Sequence, residues 1–190
     1  MHFQSLPRKL LTLETVTARL VCSALAVLGL TTVHHVYGAF HYHTPFRLHV
    51  AVIAFWVAAA IVVSHRLFAR SRSVAWFSLL SATTLLFPVA LIGAFEGIYN
   101  HLAKNALYFA GASSTLLFRL FPPPTYELPN DLFFEVTGVL QIVPAAFAAS
   151  FYVHVYRAWR SVRAETSRPR EANRLPVADS AGAEPCNTRE

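Results

Sequence analysis

The chain has 190 residues, of which 55% are hydrophobic and only 14% charged, with a mean hydropathy of +0.43 and a net charge of +6. That is too apolar for an ordinary soluble domain. The charge excess has the distribution of a membrane topology signal and argues against nucleic acid as a partner.

Residues 1–19 are a polar lead containing Pro7, Arg8 and Lys9, followed by a stretch that can lie along an interface as a short helix. Four apolar blocks then come near the ~20 residues that cross a bilayer: residues 20–40, 48–64, 73–95 and 132–153. The polar lead and long first block fit a retained helix better than a cleaved signal peptide. Pro45 is expected to open the second helix, Pro88 to kink the third, and Asn130 or Asp131 to cap the fourth. Gly93 and Gly97, four apart, give the third span a small-residue face that another helix can approach closely.

Residues 105–121 are apolar but flanked by Lys104 and Arg119 and stopped by Pro122, Pro123 and Pro124. Crossing there would invert the charge pattern, so this stretch is expected as an interfacial or re-entrant helix on the extracytoplasmic side. Residues 161–190 are polar and dotted with proline, the composition of a disordered tail. The expected fold is an all-α integral membrane protein: an antiparallel bundle of four transmembrane helices over residues 20–160, with a lead at 1–19 and a tail at 161–190.

Thirteen of the sixteen basic residues lie before the first span, between the second and third, or after the fourth. Only Arg47, Lys104 and Arg119 fall on the other side. Both termini are therefore expected in the cytoplasm, as in a protein of the bacterial inner membrane, with anionic lipid headgroups as partners of the basic residues. Cys22 lies in the first span and Cys186 in the tail, so no disulfide framework is available.

The chemistry gathers at one end. Residues 34–49 hold five of the nine histidines: His34, His35, His41, His43 and His49. Alternating spans would bring these to the same face as Arg47, Glu96, Asn100, His101, Asp131 and Glu135. Imidazole and carboxylate together are the ligand set of zinc, iron or copper. The expected function is a polar pocket for a metal ion or small polar ligand, as in a metal-assisted redox or hydrolytic enzyme; the expected metal ligands are His34, His35, His101 and Glu96, with Glu96 and Glu135 as catalytic carboxylates. Glu96 is the sharpest candidate, because an ionisable group within an apolar span is costly. At 100° per residue, however, an α-helix turns His101 about 140° away from Glu96 unless it breaks at Gly97. His41, His43 and His49 fit headgroup level, and an ion pair with Arg47 would serve Glu96 without any ligand.

Two further readings stay open. A b-type haem protein would place one haem between His35 (or His34) and His101 and a second between His65 and His154. A non-catalytic membrane subunit would use the polar cluster only to tie helix ends together. The topology has a direct test. Cysteines introduced at Ser113 and Ser180 are expected to react with a membrane-impermeant thiol reagent from opposite sides, and labelling of both from one side would overturn the four-span arrangement.

Overall fold

A computed structural model describes residues 5–122 and 128–166. The chain is 90% helical, and no strand occurs among the described residues. Four helices are long and apolar enough to cross a membrane. They are α1 (Ser5–His41), α2 (Pro45–Ser71), α3 (Val74–Phe109) and α5 (Leu132–Thr166), with a short α4 (Ser114–Leu120) between the last two. Helix α1 packs against α2 and α5, and α3 closes the bundle by packing against the same two.

The helix ends follow from local chemistry. Pro45 opens a single 3-10 turn, Pro45–Arg47, that runs directly into the rest of α2. Arg72, with φ of 52°, stops α2, and its N–H donates to the Phe68 carbonyl. Ser73 caps α3 by accepting from the Ala75 N–H, and Asp131 caps α5 by accepting from the Phe134 N–H at 2.7 Å.

Several boundaries differ from the sequence expectation. The single helix expected over 105–121 is two pieces. Residues up to Phe109 continue α3, Gly111 at φ +81° breaks the chain, and Ser113 caps the separate helix α4. Helix α1 starts at Ser5 without interruption, and α5 continues past residue 161 to Thr166. Val162 remains buried and Lys9 pairs with Glu165 at 2.7 Å, so the ends of α1 and α5 hold each other beyond the apolar blocks. Residues 167–190 of the expected tail lie outside the described residues.

The bundle divides lengthwise. The end holding Leu13, Leu20, Phe68, Phe77 and Trp159 is packed with apolar side chains, with Phe77 stacked on Trp159 at 3.9 Å. The other end buries His34, His101, Lys104 and Glu135. Large apolar side chains such as Phe55, Trp56, Leu86 and Phe147 cover the outside, the surface a helix needs against hydrocarbon.

From Leu85 to Ala103, α3 winds with the wide π-helical turn, beginning just ahead of Pro88. Within this stretch the expected small-residue face meets α5. A methyl group at Gly93 would sit 2.3 Å from Ala145 Cβ, and one at Gly97 would sit 2.8 Å from Ile142 Cγ1. Gly93→Ala is therefore expected to destabilise the protein by about 1–3 kcal/mol through overpacking, despite alanine's better helix propensity of ~1 kcal/mol. Gly29→Ala meets nothing within 4 Å and should be neutral or stabilising. Chemical unfolding in mild detergent compares the two, and equal effects would refute the close approach of α3 and α5.

Candidate metal centre

The site lies where α1, α3 and α5 meet at the polar end of the bundle. His34 and His35 come from α1, Glu96 and His101 from the wide turns of α3, and Glu135 and Thr137 from the start of α5. The Glu96 carboxylate is set by its own helix, because Asn100 Nδ2 donates to Oε2 at 3.0 Å. That leaves Oε1 facing three imidazoles. His101 Nε2 lies at 3.4 Å, His34 Nε2 at 3.6 Å and His35 Nε2 at 3.8 Å.

The wide helix is what brings His101 in. An i→i+5 winding places residue i+5 over residue i much as i+4 lies over i in an α-helix. His101, five residues after Glu96, therefore shares its face without a break at Gly97. Space for the ring comes from α5, since a methyl at Gly138 would lie 2.4 Å from the His101 ring.

Hydrogen bonds fix which nitrogen does what. The Thr137 hydroxyl sits 2.8 Å from the Phe133 carbonyl and 3.0 Å from the Phe134 carbonyl, both of which can only accept. Its one proton is committed there, so at the 3.0 Å contact with His34 it is Nδ1–H of His34 that donates to Thr137 Oγ1. Neutral His34 then presents a bare lone pair at Nε2. That atom is buried and has no hydrogen-bond partner, and it faces a carboxylate oxygen that is also only an acceptor. Phe134 stacks on the His34 ring at 4.1 Å and helps hold its plane.

His101 is oriented in the same way. Its Nδ1 donates to Glu135 Oε2 at 2.8 Å, while Lys104 Nζ reaches Glu135 Oε1 at 2.9 Å and Asn105 Nδ2 donates to Oε2 at 2.8 Å. His101 Nε2 turns to Glu96 Oε1, so the ring lies between the two carboxylates.

One group among the described residues has the spacing to hold a metal ion: His34, His35 and Glu96, with one ligand atom from each lying within 4.8 Å of the others. His101 borders Glu96 but stands outside that mutually close set. A tetrahedral ion with bonds of 2.0–2.1 Å separates its ligand atoms by about 3.3–3.4 Å; the Glu96 oxygen lies 3.6 and 3.8 Å from the two histidines, and all three atoms would draw together from within 4.8 Å.

The other expected polar residues fall into place as a border. His41, His43 and His49 are exposed. His41 lies 3.7 Å from Asp131, whose Oδ2 also accepts from Tyr37 at 3.0 Å. Arg47 is buried, donates to Thr44 Oγ1 at 2.9 Å and lies over the Phe134 ring. Of the expected haem pairings, the one between His34 and His101 is closed by geometry. The rings of His34 and His101 touch edge to face with centroids 4.7 Å apart, which leaves no slot for a porphyrin between them. His154 is exposed and its Nδ1 donates to the Ser150 carbonyl on its own helix.

Sequence reasoning did not single out Thr137, Phe134, Gly138 or Asn105. It used Lys104 only as a flanking charge, although Lys104 is buried against Glu135. The available signal was position: Glu135, Thr137 and Gly138 all belong to the first two turns after the Asp131 cap.

No protein-family model matches this sequence, and neither the curated proteins nor the solved structures give a significant match to it.

The tautomer argument can be checked directly. In metal-free protein, imidazole nitrogen NMR should show His34 with its proton on Nδ1. Thr137→Val keeps the shape but strands that donor, and should cost about 1–3 kcal/mol of stability. A proton on Nε2 of neutral His34, or a Thr137→Val variant as stable as the parent, would refute the assignment.

Proposed function

We propose that this chain is a multi-span membrane protein that binds one divalent transition-metal ion through His34, His35 and Glu96 at the extracytoplasmic end of an antiparallel four-helix bundle. The observation that carries the reading is the bare, buried Nε2 of His34 opposite Glu96 Oε1. Two electron-rich atoms facing each other in an apolar bundle are stable when a cation lies between them. The donor set supports zinc or ferrous iron, since two histidines and one carboxylate are the ligands of catalytic zinc and of open-sided iron centres alike.

Three protein ligands leave coordination positions free, which is the arrangement of a catalytic rather than a structural site. When bound, the ion supplies Lewis acidity to a ligand oxygen. The chain's own residues do the rest. Asn100 fixes the Glu96 carboxylate, Thr137 fixes His34, and Glu135 with Lys104 fixes His101 beside Glu96. Such outer hydrogen bonds orient ligands and raise their basicity. In this reading Glu96 is a ligand, and Glu135 is a positioning residue that acts through His101. The basic residues at the opposite end of the bundle lie at the cytoplasmic face, against anionic headgroups.

The test is elemental analysis and a visible spectrum of protein purified in mild detergent. Stoichiometric zinc or iron is expected, together with its loss in Glu96→Gln and His34→Ala at near-normal yield of folded protein. Thr137→Val should retain the metal with roughly 10–100-fold weaker affinity. A Soret band would replace this reading with haem. Absence of both metal and Soret band would leave the cluster as a structural tie between helices.

A further inference from the structure

Beside the metal group a crevice opens between α1, α2 and α3, with a volume of about 230 Å³. Its long axis follows the helices. Glu96 and His35 line one end, and Leu28 and Phe87 line the other. The seven residues from Leu28 to His35 rise about 10 Å along α1 at 1.5 Å each. The walls are apolar apart from Thr31, His35 and Glu96. Ile53 and Leu91 on its rim are 46% and 45% exposed, so the crevice opens sideways through the surface that faces lipid.

Two of the three polar linings have unmet hydrogen-bonding capacity. Thr31 is fully buried and its hydroxyl has no partner, and the buried Nδ1 of His35 has none either. Both atoms are closed off from the crevice, and the polar surface open at its end is that of the His35 and Glu96 side chains, which stay 12% and 17% exposed.

We infer that the crevice takes the hydrocarbon chain of a single-chain bilayer amphiphile, with its oxygen-bearing head group at His35 and Glu96. This deepens the metal-centre reading and rests on it, because the head would reach the open side of the bound ion. The direction of the crevice argues for this occupant over a water-soluble one. Lipid in either leaflet has its head at the interface and its chain toward the midplane. The crevice has the same sense: its polar end lies toward the helix termini and its apolar end toward the middle of the spans. An amphiphile already in the membrane can slide between Ile53 and Leu91 without passing through water. A volume above the ~150 Å³ that accepts benzene suits one chain segment, whereas a two-chain lipid would leave its second chain outside.

The probe is a long-chain fatty acid carrying a diazirine within its chain, photolysed on the full-length protein in lipid nanodiscs and mapped by peptide mass spectrometry, with metal content measured on the same samples. Labelling is expected on the segments around Leu28, Ile53 and Leu91. Leu91→Trp and Ile53→Trp fill the opening and should reduce that labelling several-fold. Val136→Trp, in a separate groove of about 520 Å³ bordered by Asn105 and Glu135, should leave it unchanged. Labelling concentrated around Val136, spread evenly over the lipid-facing helices, or indifferent to Leu91→Trp overturns the inference while leaving the metal centre standing. Wild-type protein without metal would instead overturn the metal reading, and the labelling pattern would still decide where the chain lies.

Discussion

A carboxylate inside an apolar helical span must find its partners within the protein, and Glu96 imposes that demand on every neighbouring element. Asn100 occupies one of its oxygens, so the other has to be met by imidazoles from α1 and from farther along α3. Removing one partner of a buried charged pair costs about 3–5 kcal/mol. The paired histidines at the end of α1, the wide turns of α3 and the seating of α5 are therefore coupled. None can shift by a residue without stranding either the carboxylate or an imidazole.

The wide winding of α3 answers that demand. An ordinary α-helix offers Glu96 a same-face neighbour at position 100 and turns position 101 away. The π-helical stretch keeps Asn100 within reach and also lays His101 over Glu96, so one helix supplies the carboxylate, its orienting amide and an imidazole. Pro88 lies near the start of the stretch, where its missing N–H and its ring already disturb α-helical bonding. Wide turns of this kind are uncommon and recur at functional sites. In this bundle the chemistry they bring together is visible: His101 links Glu96 to a second buried carboxylate, Glu135, which is itself neutralised by Lys104.

Much of the frame is legible in the sequence because it rests on local rules. Four apolar blocks mark the four long helices, Asp131 reads as a possible cap beside Asn130, and Gly93 with Gly97 marks the close approach of α3 and α5. The pairing of His34 and His35 with Glu96 follows from counting which span ends share a face. What stays hidden depends on long-range geometry. Placing His101 needs the winding of α3, which a fixed 100° per residue misreads. Thr137 carries no signal of its own, since a threonine in an apolar helix is usually tied back to a carbonyl, as this one also is. Its role appears only when His34 is found 3.0 Å from the same oxygen. The lengths of α1 and α5 were underestimated for a related reason. Their outer turns are amphipathic and are held by Lys9 with Glu165 and by Trp159 on Phe77, contacts between residues far apart in sequence.

The two ends of the bundle divide stability from chemistry. The apolar end buries Leu13, Leu20, Phe68 and Trp159 in one cluster contributed by all four long helices. That leaves the other end free to carry arrangements that lower stability. The hydroxyl of Thr31, Nε2 of His34 and Nδ1 of His35 are all buried without hydrogen-bond partners, and they follow one another over little more than a turn of α1. Those of His34 and His35 lie beside Glu96, where the proposed cation would be held, while further unpartnered atoms, among them those of Thr84, Gln141 and Trp159, are spread through the bundle. In the proposed reading a cation between His34 Nε2 and Glu96 offsets the cost of that unmatched pair, so metal binding would also stabilise this end of the bundle.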